Sequence, residues 1–385
     1  MPRLRSIGAV PALAVLVALL VGAPARAETG ASSEGAFIGA DLSYVPRLLS
    51  AGATYRVGGD PVLPLEAFRA HGYDVVRLRL WHSPDQPWHG ADATLAFARE
   101  AVAAGFDLML DLHCSDTWAD PGHQMKPAAW EGLEFEALVD SVYAYTNGVI
   151  RRLRDGGAAP RYVQIGNEIS PGFLWDEGRV GWNGSAWDTP EQWSRFAELL
   201  GAGVAGARDS LPPEERPQII VHFDNGANND ACRWFYDNLA AHGVDFDAIG
   251  LSFYPWWHGT LGELESNLGD LAERYGKPVM IVEAAYPWTL SWDDDTHNFV
   301  GDPRQLHAGY PATPEGQLRY LRDLLAVVAA VPNGLGGGVC YWEPAFIPVA
   351  GGPPNPYENL TLFDFDGNAL PGLGFAVGQG SGEAQ

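Results

Sequence analysis

A chain of 385 residues with 24 basic and 48 acidic side chains is long enough to bury a large core in one domain. Its formal charge of −24 argues against nucleic acid and anionic membrane surfaces as partners. The same charge repels a strongly acidic polymer at long range, so a neutral ligand is the expectation.

Residues 1–27 are set aside first. Arg3 and Arg5 precede an apolar run from Ile7 to Val21, followed by Ala25-Arg-Ala27, the layout of a secretory signal with a small-x-small cleavage site. The run is short for a spanning helix, and no later stretch stays apolar for about 18 residues. A secreted, soluble chain is therefore expected, with a monomer as the default. Without Arg3, Arg5 and Arg26, 21 basic residues face 48 acidic ones, a charge of −27. Cys114, Cys232 and Cys340 are too few for a disulfide framework and allow one bridge at most. Cys114 and Cys340 fall inside apparent core strands, where a thiol acts as a small hydrophobe.

From residue 36 onward, short apolar runs alternate with amphipathic stretches. Strands are predicted over 37–44, 74–81, 107–114, 162–168, 218–223, 248–255, 278–286 and 337–344. Helical patterns cover 94–104, 134–154, 191–208, 261–275 and 314–331, with Gly or Pro at many junctions. Strand-then-helix repeated eight times predicts an α/β fold, a (β/α)8 TIM barrel forming a single catalytic domain over 28–377. Residues 378–385 read as a disordered tail. A doubly wound nucleotide-binding sheet is the alternative, and it lacks a Gly-rich phosphate loop before the first helix.

Two of these strands end in glutamate: Val163-Gln-Ile-Gly-Asn-Glu168 and Pro278-Val-Met-Ile-Val-Glu283. An unpaired buried carboxylate costs several kcal/mol, so neither residue is there for packing. The carboxyl ends of barrel strands form the active face, and two carboxylates there point to glycoside hydrolysis. Long loops follow, and Trp175, Trp182, Trp187 and Trp193 crowd one of them. Such rings either stack on sugar C–H faces or pack their loops against the scaffold.

Five motifs now converge. They are Phe37-Ile-Gly-Ala-Asp-Leu-Ser43, Val76-Arg-Leu-Arg-Leu-Trp81, Asp111-Leu-His-Cys-Ser-Asp-Thr-Trp-Ala-Asp-Pro-Gly122, Gln164-Ile-Gly-Asn-Glu168 and Val282-Glu-Ala-Ala-Tyr-Pro-Trp288. Together they resemble glycoside hydrolase family 53, the arabinogalactan endo-β-1,4-galactanases, over roughly residues 36–375. Cys114 and Tyr357 depart from that pattern, which usually has Tyr and Trp there, and Ser83 stands where Asn is common.

The resemblance implies a retaining enzyme acting on a neutral plant cell-wall polysaccharide, with no cofactor needed for the chemistry. It implies Glu168 as acid/base and Glu283 as nucleophile. Asn167 is expected to hydrogen-bond the sugar 2-hydroxyl, and Arg79 to hold the nucleophile ionised by opposite charge, with a structural ion pair inside the barrel as its alternative. Tyr254 is expected to donate to the nucleophile, and Trp342 to form the floor under the cleaved sugar. Trp81, Asp111, His113, Asp116, Trp118, His222, Asp224 and Trp288 are expected as cleft or supporting residues. A zinc reading of His113, Cys114, Asp116 and His123 matches no familiar spacing. The run Asp293, Asp295, His297 resembles three of the four positions of a calcium loop, with Phe299 in the fourth. Its alternative is an exposed acidic loop.

Overall fold

Eight parallel strands close a barrel in the computed structural model, which describes residues 36–377. They are β1 (Phe37–Asp41), β2 (Val75–Leu80), β3 (Asp107–Leu112), β4 (Tyr162–Ile165), β5 (Gln218–Phe223), β6 (Ala248–Phe253), β7 (Val279–Ala284) and β8 (Gly336–Tyr341). Each pairs with the next in sequence, and β8 closes on β1. The signal at 1–27 and the tail at 378–385 lie outside the described residues. No helix of the described residues is long and apolar enough to cross a membrane.

Helices return the chain from each strand to the next: α1 (Pro64–Ala70), α2 (Ala91–Ala103), α3 (Phe135–Asp155), α4 (Pro190–Ser210), α5 (Asn229–Ala241), α6 (Leu261–Tyr275) and α7 (Pro314–Ala329). Their starts follow helix-capping chemistry. The hydroxyls of Thr189, Thr260 and Thr313 accept the N–H groups of Gln192, Glu263 and Gly316. Gly276, at φ +61°, ends α6 in the left-handed region that favours glycine. Two helices escape the sequence pattern. α1 is only seven residues long, and α5 carries Trp234-Phe-Tyr236 in its centre, a cluster that reads as strand on its own.

Strand periodicity explains the core. In β2, Val76, Leu78 and Leu80 face the helix layer, while Val75 joins the barrel interior. The base of that interior is apolar, built from Val75, Met109, Tyr162, Ile220, Met280 and Val282. Nearer the carboxyl ends the lumen turns polar: Asp41, Arg77, Arg79, Asp111, Gln164 and His222 are all buried. The barrel thus carries a charged plug on an apolar base.

One irregularity positions the chemistry. Between β6 and β7, Leu251 pairs with Ile281 but Ser252 pairs with Glu283, so β7 holds one extra residue. The same slip appears toward β8, where Val339 pairs with Ile281 and Tyr341 with Ala284. Strict alternation from Met280 and Val282 would aim Glu283 at the helices. The bulge turns it back into the lumen, a recurrent use of bulges beside active sites.

Candidate active site

Above the plug, the barrel mouth opens into a cavity of about 730 Å³ whose wall includes Glu168, Glu283, Asn167, Tyr254 and Trp342. Glu283 is buried, and Arg77 Nη2 lies 2.9 Å from its Oε1. The Tyr254 hydroxyl donates to its Oε2 at 2.9 Å. The same Arg77 guanidinium bonds Asp41 at 2.7 Å, Asp111 at 3.0 Å and the Gln164 side-chain oxygen at 2.7 Å. One cation therefore faces three carboxylates, which holds Arg77 charged although it is buried.

Glu168 sits differently. Its Oε1 accepts a 2.6 Å hydrogen bond from the Ser252 hydroxyl, and no arginine or lysine pairs with it among the described residues. Ser252 Oγ is in turn 2.9 Å from His222 Nε2. The Nδ1 of His222 accepts from the Glu168 N–H and lies 2.9 Å from the Gln164 amide nitrogen. Nδ1 also lies 3.1 Å from Asn167 Oδ1; with Nδ1 assigned as acceptor of the Glu168 N–H, Nε2 is the donor and the relay runs from His222 through Ser252 to Glu168. Burial, with Arg77 and His113 nearby, drives the His222 pKa well below its usual value and keeps the ring neutral.

These surroundings pull the two carboxyls apart. Burial raises Glu283 to about 7, against the opposing pull of Arg77 and Tyr254. Burial raises Glu168 well above the ordinary carboxyl value, and the charges of Glu283 and Asp224 push it further in the same direction. With one proton on the pair, Glu168 carries it and Glu283 is the anion. Two carboxyls set apart by their environments in one cavity are the arrangement that lets one hold a proton while the other stays ionised.

The sequence comparisons agree with this geometry. Residues 37–376 match the description Glycosyl hydrolase family 53. The chain belongs to that family. It is 47% identical to an uncharacterized protein of Niallia circulans, covering 88% of this chain and 92% of that one. It is 37% identical to an arabinogalactan endo-beta-1,4-galactanase of Cellvibrio japonicus, covering 94% and 96%. The family 53 catalytic domain of Ignisphaera aggregans superposes with a TM-score of 0.81 at 34% identity, covering 88% and 94%. The protein is a glycoside hydrolase on a closed (β/α)8 barrel.

Within this family 53 site, one expected role moves by two residues. Arg79 does not face Glu283. Its Nη2 bonds Glu343 at 2.6 Å, and its guanidinium lies 4.5 Å from the Tyr44 ring centre and 4.4 Å from that of Trp118. Arg77 and Arg79 both point inward because they are two apart on one strand. The lower one meets the bulged Glu283, and the upper one braces the aromatic floor.

Trp81, Trp118, His113, Asn167, Asp224 and Trp342 all line the cavity as expected. Asn167 accepts from Arg77 at 3.0 Å and donates to the Ala119 carbonyl at 2.8 Å. Asp111 is buried beneath, between Arg77 and His113 Nε2, each 3.0 Å away. His222 likewise sits below the cavity, in the relay described above.

Three groups of expected residues lie elsewhere. Asp116 staples loops by accepting the N–H groups of Ser83 and Ala128, both at 2.8 Å, and is not part of the cavity wall. Trp288 packs 4.8 Å from the Phe365 ring, also away from the cavity. Asp293, Asp295 and His297 do not converge, and no trio of metal-ligating side chains gathers among the described residues. His297 instead packs its ring 5.3 Å from that of Trp292, and the intervening Asp294 accepts the N–H groups of Thr296 and Asn355. The calcium expectation does not fit this loop. All three cysteines are buried free thiols.

Sequence reasoning missed Asp41, Arg77, Gln164, Ser252 and Glu343 as site residues. The signal for Arg77 was present in Arg77-Leu-Arg79, whose period of two sends both cations into one lumen. Glu343 was masked by its place after Trp342. Cys114, Glu168 and Glu343, at φ +51°, +49° and +45°, leave β3, β4 and β8 in the left-handed region. For non-glycine residues that conformation is costly and clusters at active sites.

Proposed function

We propose that this family 53 chain is an endo-acting β-1,4-galactanase with a retaining, double-displacement mechanism. The single observation that carries the mechanism is the asymmetry between the two glutamates. Glu283 is held by Arg77 and Tyr254, whereas Glu168 is buried against like charge with a hydroxyl for its partner.

In the first step the Glu283 carboxylate attacks the anomeric carbon as the bond to the glycosidic oxygen breaks. Glu168 gives its proton to that oxygen, and the leaving chain departs with a new hydroxyl. The product is a glycosyl ester on Glu283. In the second step Glu168, now ionised, takes a proton from water, and the hydroxide oxygen displaces Glu283 from the anomeric carbon. Two inversions give net retention. Arg77 holds Glu283 in its leaving form, and Asn167 has a second amide N–H to offer the sugar 2-hydroxyl.

The substrate reading rests on the Cellvibrio japonicus relative, whose name specifies arabinogalactan and the β-1,4-galactosidic bond. A neutral galactan side chain of pectin suits an acidic protein that would repel an acidic polymer. Export, read from residues 1–27, belongs to the same proposal, since the polymer lies outside the cell. The test is a product profile on linear β-1,4-galactan beside mannan and xylan. Internal cleavage of galactan to mixed oligosaccharides supports the reading; preference for mannan or xylan overturns it.

A further inference from the structure

Beyond the catalytic cavity, a second hollow of about 270 Å³ lies between the loops that follow β4 and β5. It shares two wall residues, Pro121 and Asp224, with the main cavity. One side is Trp182, which is 50% exposed, set edge-to-face against Trp234 at 5.1 Å. Trp182 thus packs one edge on Trp234 and leaves the rest of its ring open to the hollow and to solvent.

The platform is built rather than incidental. Asp188 Oδ1 accepts from the indole N–H of Trp193 at 2.9 Å and of Trp234 at 3.3 Å. Its Oδ2 accepts the Gly184 N–H at 2.8 Å, two residues beyond Trp182. One carboxylate thus ties the loop carrying Trp182 to the helices carrying the rings behind it. Polar groups sit at the open edges: Asp224 toward the catalytic cavity, and Asn225 and Asn228 on the β5 side. Rigid aromatic faces with a few convergent polar groups are the makings of a carbohydrate subsite.

Its side of the cleavage point follows from the two glutamates. On the proposed mechanism the attacked sugar sits over Glu283, the nucleophile. The departing chain lies on the side of Glu168, which protonates it, and Glu168 and Asp224 are close enough to interact electrostatically. From Asp224 the surface continues into the second hollow. We infer that the Trp182–Trp234 hollow is a leaving-group-side subsite that stacks a galactosyl residue of the departing chain, with Asp224 at its junction to the catalytic cavity. The inference rests on the galactanase reading and adds to it which loop governs the length of the released chain.

The test uses β-1,4-galactohexaose labelled at its reducing end, cleaved by the full-length wild type, Trp182→Ala and Trp182→Phe. Loss of the ring lowers kcat/KM on the hexaose about three- to tenfold, the worth of one stacked aromatic, and acts through KM. Cleavage also moves toward the reducing end, so the labelled product becomes shorter. Trp182→Phe keeps a ring and retains most of the wild-type pattern. Melting curves of both variants identify a loss of activity that comes from unfolding. In a folded Trp182→Ala, unchanged cleavage frequencies, or a shift to longer labelled products, overturn the subsite while the galactanase reading stands. A wild type that leaves the hexaose intact overturns the galactanase reading and this inference with it.

Discussion

Arg77 Nη2 and Glu283 Oε1 meet at 2.9 Å inside the barrel, and that contact links the charged plug to the reaction. It is made by a strand residue and a bulged residue that alternation alone would keep apart. Substituting Arg77 removes the one cation shared by Asp41, Asp111 and Glu283, and breaking a buried ion pair on one side typically costs about 3–5 kcal/mol. Arg77→Lys keeps the charge but not the fork geometry. The expected result is a lower kcat/KM, with the acidic limb of its pH profile moved to higher pH. Loss of a well-placed cation raises the pKa of the carboxylate it faced. Arg79→Lys should leave that limb in place, because its partner is Glu343. A pH–rate profile for each variant decides between the two arginines.

On the proposed mechanism, Glu168 as acid and Glu283 as nucleophile separate by leaving group. Glu168→Gln should lower turnover on galactan by about 10²–10⁴-fold, the usual worth of general acid catalysis. An activated aryl galactoside, needing little protonation, should be partly spared in this variant and not in Glu283→Gln. Azide should restore Glu168→Ala by entering the vacated position and giving a β-configured glycosyl azide. With the aryl substrate, Glu168→Gln should also lose the alkaline limb, which in the wild type reports deprotonation of the acid.

Stability should move the opposite way. The Glu168 pKa is raised above its ordinary value of 4.5, with burial as the largest cause. Below 4.5 the folded and unfolded states both hold the proton and nothing is lost. As pH rises from there toward the folded value, the unfolded chain gives up the proton first, so stability falls. Glu168→Gln has no proton to lose. Its melting temperature should exceed that of the wild type at pH 7 and converge on it near pH 4, as measured by calorimetry at both pH values. An active site that is costly to the fold is a common trade.

Trp342 should matter to every substrate length. It lines the cavity, stands 6.3 Å from Trp118 and 4.4 Å from Tyr357 between ring centres, and lies over Arg79. Trp342→Ala should lower kcat/KM on short and long galactans alike, in contrast to the length-dependent loss expected for Trp182. A series of oligosaccharides of increasing length measures the difference.

Much of this is legible in the sequence. The eight strands show as separate apolar runs, and Glu168 and Glu283 stand out because carboxylates rarely end buried strands without a purpose. What did not show was register. Nothing in Val279-Met-Ile-Val-Glu283 announces the bulge that aims Glu283 inward, and without it the choice between Arg77 and Arg79 cannot be made from spacing. Trp288 lies in sequence beside cleft residues, yet its loop turns it toward Phe365, while Asp116 takes the supporting role through the Ser83 and Ala128 N–H groups. Asp293, Asp295 and His297 matched a ligand run by spacing alone, and spacing does not bring side chains together. A strand fixes side-chain direction with period two, so the sequence places both Arg77 and Arg79 in the lumen without saying which one meets Glu283; a loop fixes no direction, and Trp288 turns away from the cleft.

The most direct test of the mechanism is peptide mapping after trapping with a 2-deoxy-2-fluoro-β-galactobioside bearing an activated leaving group. The electron-poor sugar slows both steps, and the good leaving group lets the first proceed, so the glycosyl enzyme accumulates. The account predicts one covalent label, on the peptide containing Glu283 and on that residue. A label on Glu168 or Glu343, or no label from an enzyme that releases α-configured products from galactan, would contradict it.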